Sequence, residues 1–379
     1  MCGIVGYVGE ENAKEAVIEG LKRLEYRGYD SAGIALNIDG RIEVKKHVGE
    51  IKNLEKLTTD PEFDSNIGIG HTRWATHGAP SDVNAHPHTN SDSTIAVVHN
   101  GIIENFVELR EMLQKEHGIE FKSDTDTEVI AHLIGLYNEG DLVDAVYKAT
   151  NMMRGAYAIA CISADDKDHI VAVRKDAPLV AGIGDGFNFV ASDIPAMLKY
   201  VREVYFIEND EVVVLDKDSI RIFDEDRNEV KRDVFHVDWD ADAAEKEGFD
   251  HFMIKEIYEQ PKGIAETLQR RLDERGNVKL DFELTKEYLD SLTRIYIVAC
   301  GTAYHAGLVG KYVIEKFAKI PVEVDVASEF KYRDPYVDDK TIFLHYLLEK
   351  FIHNIFKFFE RYFSISIFVN IFYHFFKSF

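Results

Sequence analysis

Cysteine is scarce in this sequence of 379 residues. The three cysteines, Cys2, Cys161 and Cys300, are odd in number and lie far apart along the chain. Small secreted domains held together by disulfides have many cysteines in even numbers, so this class is excluded, and free thiols are typical of a reducing compartment. The sequence therefore predicts a cytoplasmic protein.

Positive charge is also in short supply. The chain has 44 Lys and Arg against 67 Asp and Glu, which gives a formal net charge of -23. Nucleic-acid backbones bind basic surfaces, so no nucleic-acid partner is expected. No stretch has the roughly 20 apolar residues that span a bilayer, and residues 1–12 lack the basic start and apolar core of a signal peptide. No membrane partner is expected either.

The last part of the chain lacks the residues that form turns and close helix–strand contacts. Residues 342–379 contain no Gly, Ala, Pro or Asp, whereas Phe, Ile, Tyr, His and Lys dominate. We interpret residues 341–379 as an aberrant, aromatic-rich tail, and translation in a shifted reading frame is one hypothesis for its origin. The rival interpretation is a membrane-associating helix, although SISIFVNIFYHFF is short for a span.

The rest of the chain predicts two domains with different patterns. Residues 1–235 alternate short apolar strands with amphipathic helices, which favours a layered α+β sandwich. Residues 236–290 are interpreted as a linker followed by a helical connection. Residues 291–340 begin with the strand RIYIVA, a small-residue turn and a helix, as at the start of a parallel α/β domain.

The second residue of the chain is a cysteine followed by glycine. Initiator methionine is usually removed before a small residue, and this would leave Cys2 with a free α-amine of pKa about 8. Such a residue carries both a nucleophilic thiol and a general base, as in N-terminal nucleophile catalysis. The alternative interpretation is an ordinary buried cysteine on a first strand.

Two further motifs carry groups that an amide hydrolase needs. Asn100 and Gly101 follow the apolar strand TIAVVHN, and a side-chain amide with a neighbouring backbone N–H is a common oxyanion hole. Arg73, in HTRWATHG, is able to hold a substrate carboxylate, and Asp126 an ammonium. Each has a plain alternative: an Asn-Gly turn, a surface ion pair, a helix cap. The histidines of this region match no zinc signature, so no metal is expected.

Several segments together resemble a known family. They are MCGIVGYVG, LEYRGYDSAGIA, GIGHTRWATHG, AHPH, VHNGIIENF, SDTDTEVIAHL, MIKEIYEQP and ACGTAYHAG. The first six resemble class II, N-terminal-nucleophile glutamine amidotransferases. The last two are similar to the glutamine–fructose-6-phosphate aminotransferase (isomerizing) family, in which such a domain precedes a sugar-isomerase (SIS) domain.

The resemblance implies a four-layer αββα glutaminase domain, L-glutamine as substrate and no metal or organic cofactor. It implies Cys2 as nucleophile and Asn100 with Gly101 as oxyanion hole. Glutamine-binding roles fall on Arg73, Thr76, His77, Gly101 and Asp126. The resemblance also implies that Trp74 gates the passage of ammonia and that Arg27 and His86 order the loops of the active site. In the family the ammonia converts fructose 6-phosphate to glucosamine 6-phosphate in a homodimer that is built largely by the isomerase domains.

The sequence departs from the family pattern in its second half. The strand and turn with Thr302, a candidate sugar-phosphate contact, are present. The stretch TIFLHYLLEKFIHN stands where the family has a Ser- and Gly-rich phosphate loop. We therefore expect a retained glutaminase half and an incomplete SIS domain, with synthase activity and dimerisation in doubt. The rival hypotheses are a non-catalytic truncated product and another class II amidotransferase.

Overall fold

The computed structural model describes residues 2–238, 249, 252–271, 285–330, 332–333 and 335–346. The chain divides into two units, Met1–Glu247 and Gly248–Phe379. The predicted tail beyond residue 346 lies outside the described residues, as does much of the predicted linker.

The first unit consists mainly of antiparallel strands. They are β1 (Gly3–Gly9), β2 (Ser31–Ile38), β3 (Arg41–Val48), β4 (Ile67–Arg73), β5 (His88–Thr89), β6 (Ile95–Ile103), β7 (Gly155–Ser163), β8 (Ile170–Lys175), β9 (Val180–Ile183), β10 (Phe187–Ala191), β11 (Glu203–Phe206), β12 (Val212–Leu215), β13 (Ile220–Phe223), β14 (Glu229–Val230) and β15 (Phe235–His236). The helices are α1 (Ala13–Arg23), α2 (Ile51–Leu57), α3 (Phe106–His117), α4 (Glu128–Tyr137) and α5 (Leu142–Met152).

These strands form two sheets. The first has the order β15-β11-β9-β10-β1-β4-β2-β3, and the second has the order β14-β13-β12-β8-β7-β6-β5. In the first sheet β1 pairs with β4 in a register that sets Gly3 opposite Thr72, so Cys2 comes beside the end of β4. In the second sheet β6 pairs with β7, and Asn100 lies opposite Ala158.

Alternation along the strands produces the layers. One face of each sheet contributes to a shared apolar core, with Ile4 and Ile69 from the first sheet and Val98 and Ala160 from the second. The other face of the first sheet packs on α1 and α2. The outer face of the second sheet packs on α3, α4 and α5. The predicted four-layer αββα architecture is confirmed.

Local signals explain where the helices begin and end. The Asn12 side chain accepts a hydrogen bond from the backbone of Glu15 at the start of α1, and Asp141 does the same for Asp144 in α5. Gly118 ends α3 in the left-handed conformation, at φ 65°, which glycine adopts without strain.

The second unit has the strand–helix alternation expected of an SIS domain. Its elements are α6 (Phe252–Arg271), α7 (Lys286–Ser291), β16 (Arg294–Ala299), α8 (Gly301–Ala318), β17 (Val322–Val326), α9 (Ala327–Phe330) and β18 (Thr341–Tyr346). Within the described residues the three strands form a parallel sheet in the order β17-β16-β18.

Two predicted boundaries differ from the structure. Val237 is buried and donates its N–H to the carbonyl of Arg202 at 2.8 Å, so the first unit continues past residue 235. Residues 341–346, predicted as the start of the tail, form β18 and pair with β16 throughout. Ile342 packs on one face and Phe343 on the other. A parallel strand that is covered on both faces is a continuous apolar run, and composition alone does not separate it from an unusual tail.

Candidate active site

Cys2 lies at the start of β1, beside the end of β4. Its Sγ accepts a hydrogen bond from the backbone N–H of Trp74 at 3.1 Å. Burial raises the pKa of the Cys2 thiol, and the Trp74 N–H opposes this effect by stabilising the thiolate. Cys2 as a whole residue is half-buried.

Asn100, on β6 of the second sheet, contacts the nucleophile Cys2. It is buried near the end of β6, and its Nδ2 donates to the backbone carbonyl of Cys2 at 3.2 Å. The next residue, Gly101, has φ 127°, and a Cβ there would lie only 1.9 Å from the carbonyl oxygen of Ala156. Glycine is therefore required where the predicted oxyanion hole lies, because any side chain would push β6 away from β7.

His71 is a neighbour of Asn100 that the sequence interpretation considered only as a possible metal ligand. Its ring is fully buried in β4, and Nε2 lies 2.9 Å from Oδ1 of Asn100. Burial lowers the pKa of His71 to about 3, so the ring is neutral at physiological pH. The contact joins the two sheets beside the nucleophile.

Arg73 ends β4 with a buried guanidinium. Its Nη2 donates to the carbonyl of Gly78 at 3.0 Å and also to the carbonyl of His77, so the loop after β4 curls around it. Its Nη1 is buried and has no hydrogen-bond partner among the described residues. A buried guanidinium nitrogen without an acceptor suits an incoming carboxylate.

The other predicted glutamine-binding residues surround this loop. Asp126 is buried; its Oδ2 accepts from the Ile103 N–H at 2.9 Å, and its Oδ1 lies 4.0 Å from Nδ1 of His77. His77 is half-buried, and Thr76 beside it is exposed. The structure thus brings Asp126 and His77 together at the end of β6.

Asp30 is a contributor that the sequence interpretation missed. Its Oδ2 accepts from the Ala75 N–H at 2.5 Å, and its own N–H donates to the Arg73 carbonyl at 2.7 Å. These bonds anchor the loop that carries Trp74, Thr76 and His77. The available signal was a carboxylate directly before the buried strand β2, a position where polar side chains often serve a site.

The residues predicted to gate and order the loops occupy different positions. Trp74 is 55% exposed, and a Cβ at Gly28 would lie 3.0 Å from its ring, so the indole covers that glycine. The buried side chain of Arg27 forms an ion pair with Asp193 at 3.2 Å. The first observation places Gly28 next to Trp74, whose backbone contacts Cys2.

His86 belongs to a buried histidine cluster. Its ring centroid lies 4.2 Å from that of His71, and its Nε2 lies 2.7 Å from the hydroxyl of Thr127. Lys46 fixes the surrounding loop, because its Nζ donates to the carbonyls of Ala85 at 2.7 Å and Pro87 at 3.2 Å. Burial holds the pKa of His86 well below its usual range. Among the described residues no group of His, Cys, Asp and Glu is arranged to hold a metal ion.

Thr302, the candidate sugar-phosphate contact, is the second residue of α8. That helix begins directly after β16, the central strand of the parallel sheet, with Gly301 at φ 59°. Its backbone thus lies at the carboxyl edge of the sheet, where α/β domains bind ligands. No helix in the part of the chain that the structure describes is both long and apolar enough to cross a membrane.

Comparison with known proteins finds two matching domain families. A glutamine amidotransferase domain family matches residues 71–199, and the SIS domain family matches residues 288–345. The solved glutamine phosphoribosylpyrophosphate amidotransferase from B. subtilis superposes with a TM-score of 0.54 at 20% identity, covering 85% of this chain and 65% of that one, which shows the shared fold. Residues 71–199 therefore carry glutamine amidotransferase-type sequence, and residues 288–345 carry SIS-domain sequence.

Two relatives of high identity indicate one family within the glutamine amidotransferases. The chain is 57% identical over 345 residues to glutamine--fructose-6-phosphate aminotransferase [isomerizing] of Clostridium perfringens and 50% identical over 345 residues to that of Thermus thermophilus. Each match covers 91% of this chain and 56% of the relative. The resemblance to the glutamine–fructose-6-phosphate aminotransferase family is confirmed, and the chain spans just over half the length of these relatives.

Proposed function

We propose that the first unit hydrolyses L-glutamine to L-glutamate and ammonia with Cys2 as the nucleophile. The observation that carries this proposal is that the two sheets meet at Cys2. The Trp74 N–H donates a hydrogen bond to the Cys2 thiol, and Nδ2 of Asn100 donates one to the backbone carbonyl of Cys2. Nucleophile and oxyanion donor are thus adjacent before any substrate arrives.

The proposed reaction uses Cys2 twice. After Met1 is removed, the α-amine takes the thiol proton and Sγ attacks the side-chain carbonyl carbon of glutamine. The resulting oxyanion accepts hydrogen bonds from Nδ2 of Asn100 and the N–H of Gly101. The amine then returns the proton to the leaving nitrogen, which departs as ammonia, and water hydrolyses the γ-glutamyl thioester to glutamate.

Substrate recognition follows from the charges around the loop at residues 74–78. We assign the α-carboxylate of glutamine to Nη1 of Arg73, which is buried without a partner among the described residues. The α-ammonium is assigned to Asp126, with Thr76 and His77 at its side. Trp74 is proposed to gate ammonia release, and Arg27 and His86 to order the adjoining segments.

A second candidate activity is transfer of the ammonia to fructose 6-phosphate. The observation that favours it is the 57% identity, over 91% of the chain, to a relative that is named for this activity. We propose Thr302, at the start of α8, as the candidate sugar-phosphate contact of the second unit. We therefore propose glutamine hydrolysis as the activity of this chain and treat the transfer as a separate question.

Glutamate release from glutamine tests the proposal. The purified chain, Cys2→Ala and Cys300→Ala are compared, because Cys300 is an exposed thiol in the other unit and serves as the matched control. Loss of release in Cys2→Ala alone supports the proposal. Equal rates in all three chains would refute it, and absence of release from a chain whose mass shows Cys2 at its terminus would favour the non-catalytic alternative.

Addition of fructose 6-phosphate separates the two candidate activities. Glucosamine 6-phosphate is measured beside glutamate in the same reaction. Glutamate without the amino sugar would limit the activity to the glutaminase half, whereas equal amounts of both would assign the complete transfer to this chain.

A further inference from the structure

The side-chain amide of Asn100, the proposed oxyanion-hole donor, contacts His71 of the opposite sheet. His71 is 0% exposed, and its Nε2 lies 2.9 Å from Oδ1 of Asn100. None of the chemistry assigned above uses this ring. It lies on β4, two residues before Arg73, whereas Asn100 lies on β6.

The two contacts of Asn100 determine which way its amide points. The backbone carbonyl of Cys2 only accepts hydrogen bonds, so the amide group that faces it at 3.2 Å must be the donor Nδ2. Oδ1 then faces His71 and needs a donor. Nε2 of His71 must therefore carry a hydrogen.

Burial restricts His71 to a single ring proton. The side chain is enclosed between the sheets, and the lowered pKa means that the imidazolium form is absent above about pH 5. A neutral ring has one N–H. The hydrogen bond to Asn100 therefore selects the Nε2–H tautomer.

We infer that His71 is a positioning residue, whose Nε2–H holds the Asn100 amide with Nδ2 turned toward the reacting centre. This inference rests on the proposed glutaminase function. Without that hydrogen bond, of these two contacts only the one with the Cys2 carbonyl remains. Once Nδ2 leaves that carbonyl for the developing oxyanion, a rotation of the amide by 180° would turn Oδ1 toward the oxyanion. A stabilising donor would become a repulsive acceptor, so the orientation matters more than the mere presence of Asn100.

Three variants at two positions test the inference by steady-state kinetics. His71→Leu fills a similar volume without a donor, whereas His71→Gln keeps an N–H near the position of Nε2. Loss of an oxyanion donor costs about 100-fold or more in kcat, so we expect His71→Leu to lose about this factor with little change in KM. His71→Gln should stay within about fivefold of the parent chain. The control is His132→Leu, another buried histidine, which contacts Glu128 and Phe121.

Misfolding is separated from positioning by counting competent sites. Rates are expressed per Cys2 that iodoacetamide alkylates, because alkylation needs an accessible thiol and no oxyanion hole. The same substitution is then made in an Asn100→Ala chain. If His71 acts through Asn100, His71→Leu costs less than about twofold in that background. An equal loss in both backgrounds would overturn the inference.

A readout that needs no activity tests the tautomer of His71 separately from the proposed function. Nitrogen NMR of chain labelled in histidine rings reports which ring nitrogen carries the proton, and His71→Gln assigns the signal. We expect a neutral Nε2–H ring from pH 5 to 8. An Nδ1–H ring, or an imidazolium in that range, would refute the orientation even if glutamine is hydrolysed. An Nε2–H ring in a chain without glutaminase activity would refute only the proposed function.

Discussion

Substitution of Gly101 by alanine should damage both the fold and the site. The backbone there has φ 127°, which an L-residue adopts at a cost of about 1–3 kcal/mol. A Cβ would also lie 1.9 Å from the carbonyl oxygen of Ala156, well inside contact distance. Relief requires β6 and β7 to separate locally, with the loss of one or two ladder hydrogen bonds at about 1 kcal/mol each. The expected loss of unfolding free energy is therefore about 2–5 kcal/mol.

Gly140 provides a matched control for this prediction. It also has positive φ, at 103°, but a Cβ there would meet nothing within 4 Å. Gly140→Ala therefore has the backbone strain alone, about 1–3 kcal/mol, without the steric clash. The difference between the two variants isolates the contact with Ala156.

Urea unfolding followed by circular dichroism, with glutamate release beside it, measures both effects. Gly101→Ala should unfold at lower urea than Gly140→Ala and should lose at least 100-fold in kcat, because the oxyanion N–H moves with the strand. The reasoning is refuted if Gly101→Ala matches Gly140→Ala in urea midpoint and keeps the parent kcat. Such a result would mean that the close approach of β6 to β7 is not maintained in solution.

Three further predictions concern charge and loop anchoring. The pKa of His71 is lowered to about 3 in the folded chain, so the neutral ring contributes fully to stability above about pH 6.5 and this contribution is lost as the pH falls. At pH 5 the expected loss of unfolding free energy is about 2 kcal/mol. An unchanged urea midpoint between pH 7 and pH 5 would contradict this prediction. Arg73→Lys removes the planar fork, so KM for glutamine should rise about 10-fold or more with a smaller change in kcat, and an unchanged KM would refute the carboxylate assignment. Asp30→Ala removes the acceptor of the Ala75 N–H and should weaken glutamine binding about tenfold. If calorimetry shows the glutamine affinity of the parent chain, Asp30 does not anchor the loop that carries Trp74, Thr76 and His77.

Much of the first unit was predictable because its patterns are local. Alternating apolar residues in IGIGHTR and IAVVHNGII predict strands, and both are strands in the structure. The chemistry of Cys2, Asn100 and Gly101 was suggested by residue type, since thiol, amide and glycine each have few other uses in that combination.

The unpredicted features depend on contacts between distant segments. Asp30 and Ala75 are 45 residues apart, and their hydrogen bond follows from the pairing of β2 with β4 rather than from any motif. The strand β18 was hidden because its partner β16 lies far earlier in the chain. Parallel pairing of this kind leaves only a run of apolar residues as its signal.

The sequence by itself determined which residues carry chemistry and which segments are strands, because residue type and a period of two are local properties. The tertiary structure alone decided that His71 on one sheet faces Asn100 on the other, and so which end of that amide points toward Cys2. No local pattern encodes this orientation, because the relative placement of two stacked sheets is set by the packing of the apolar core between them.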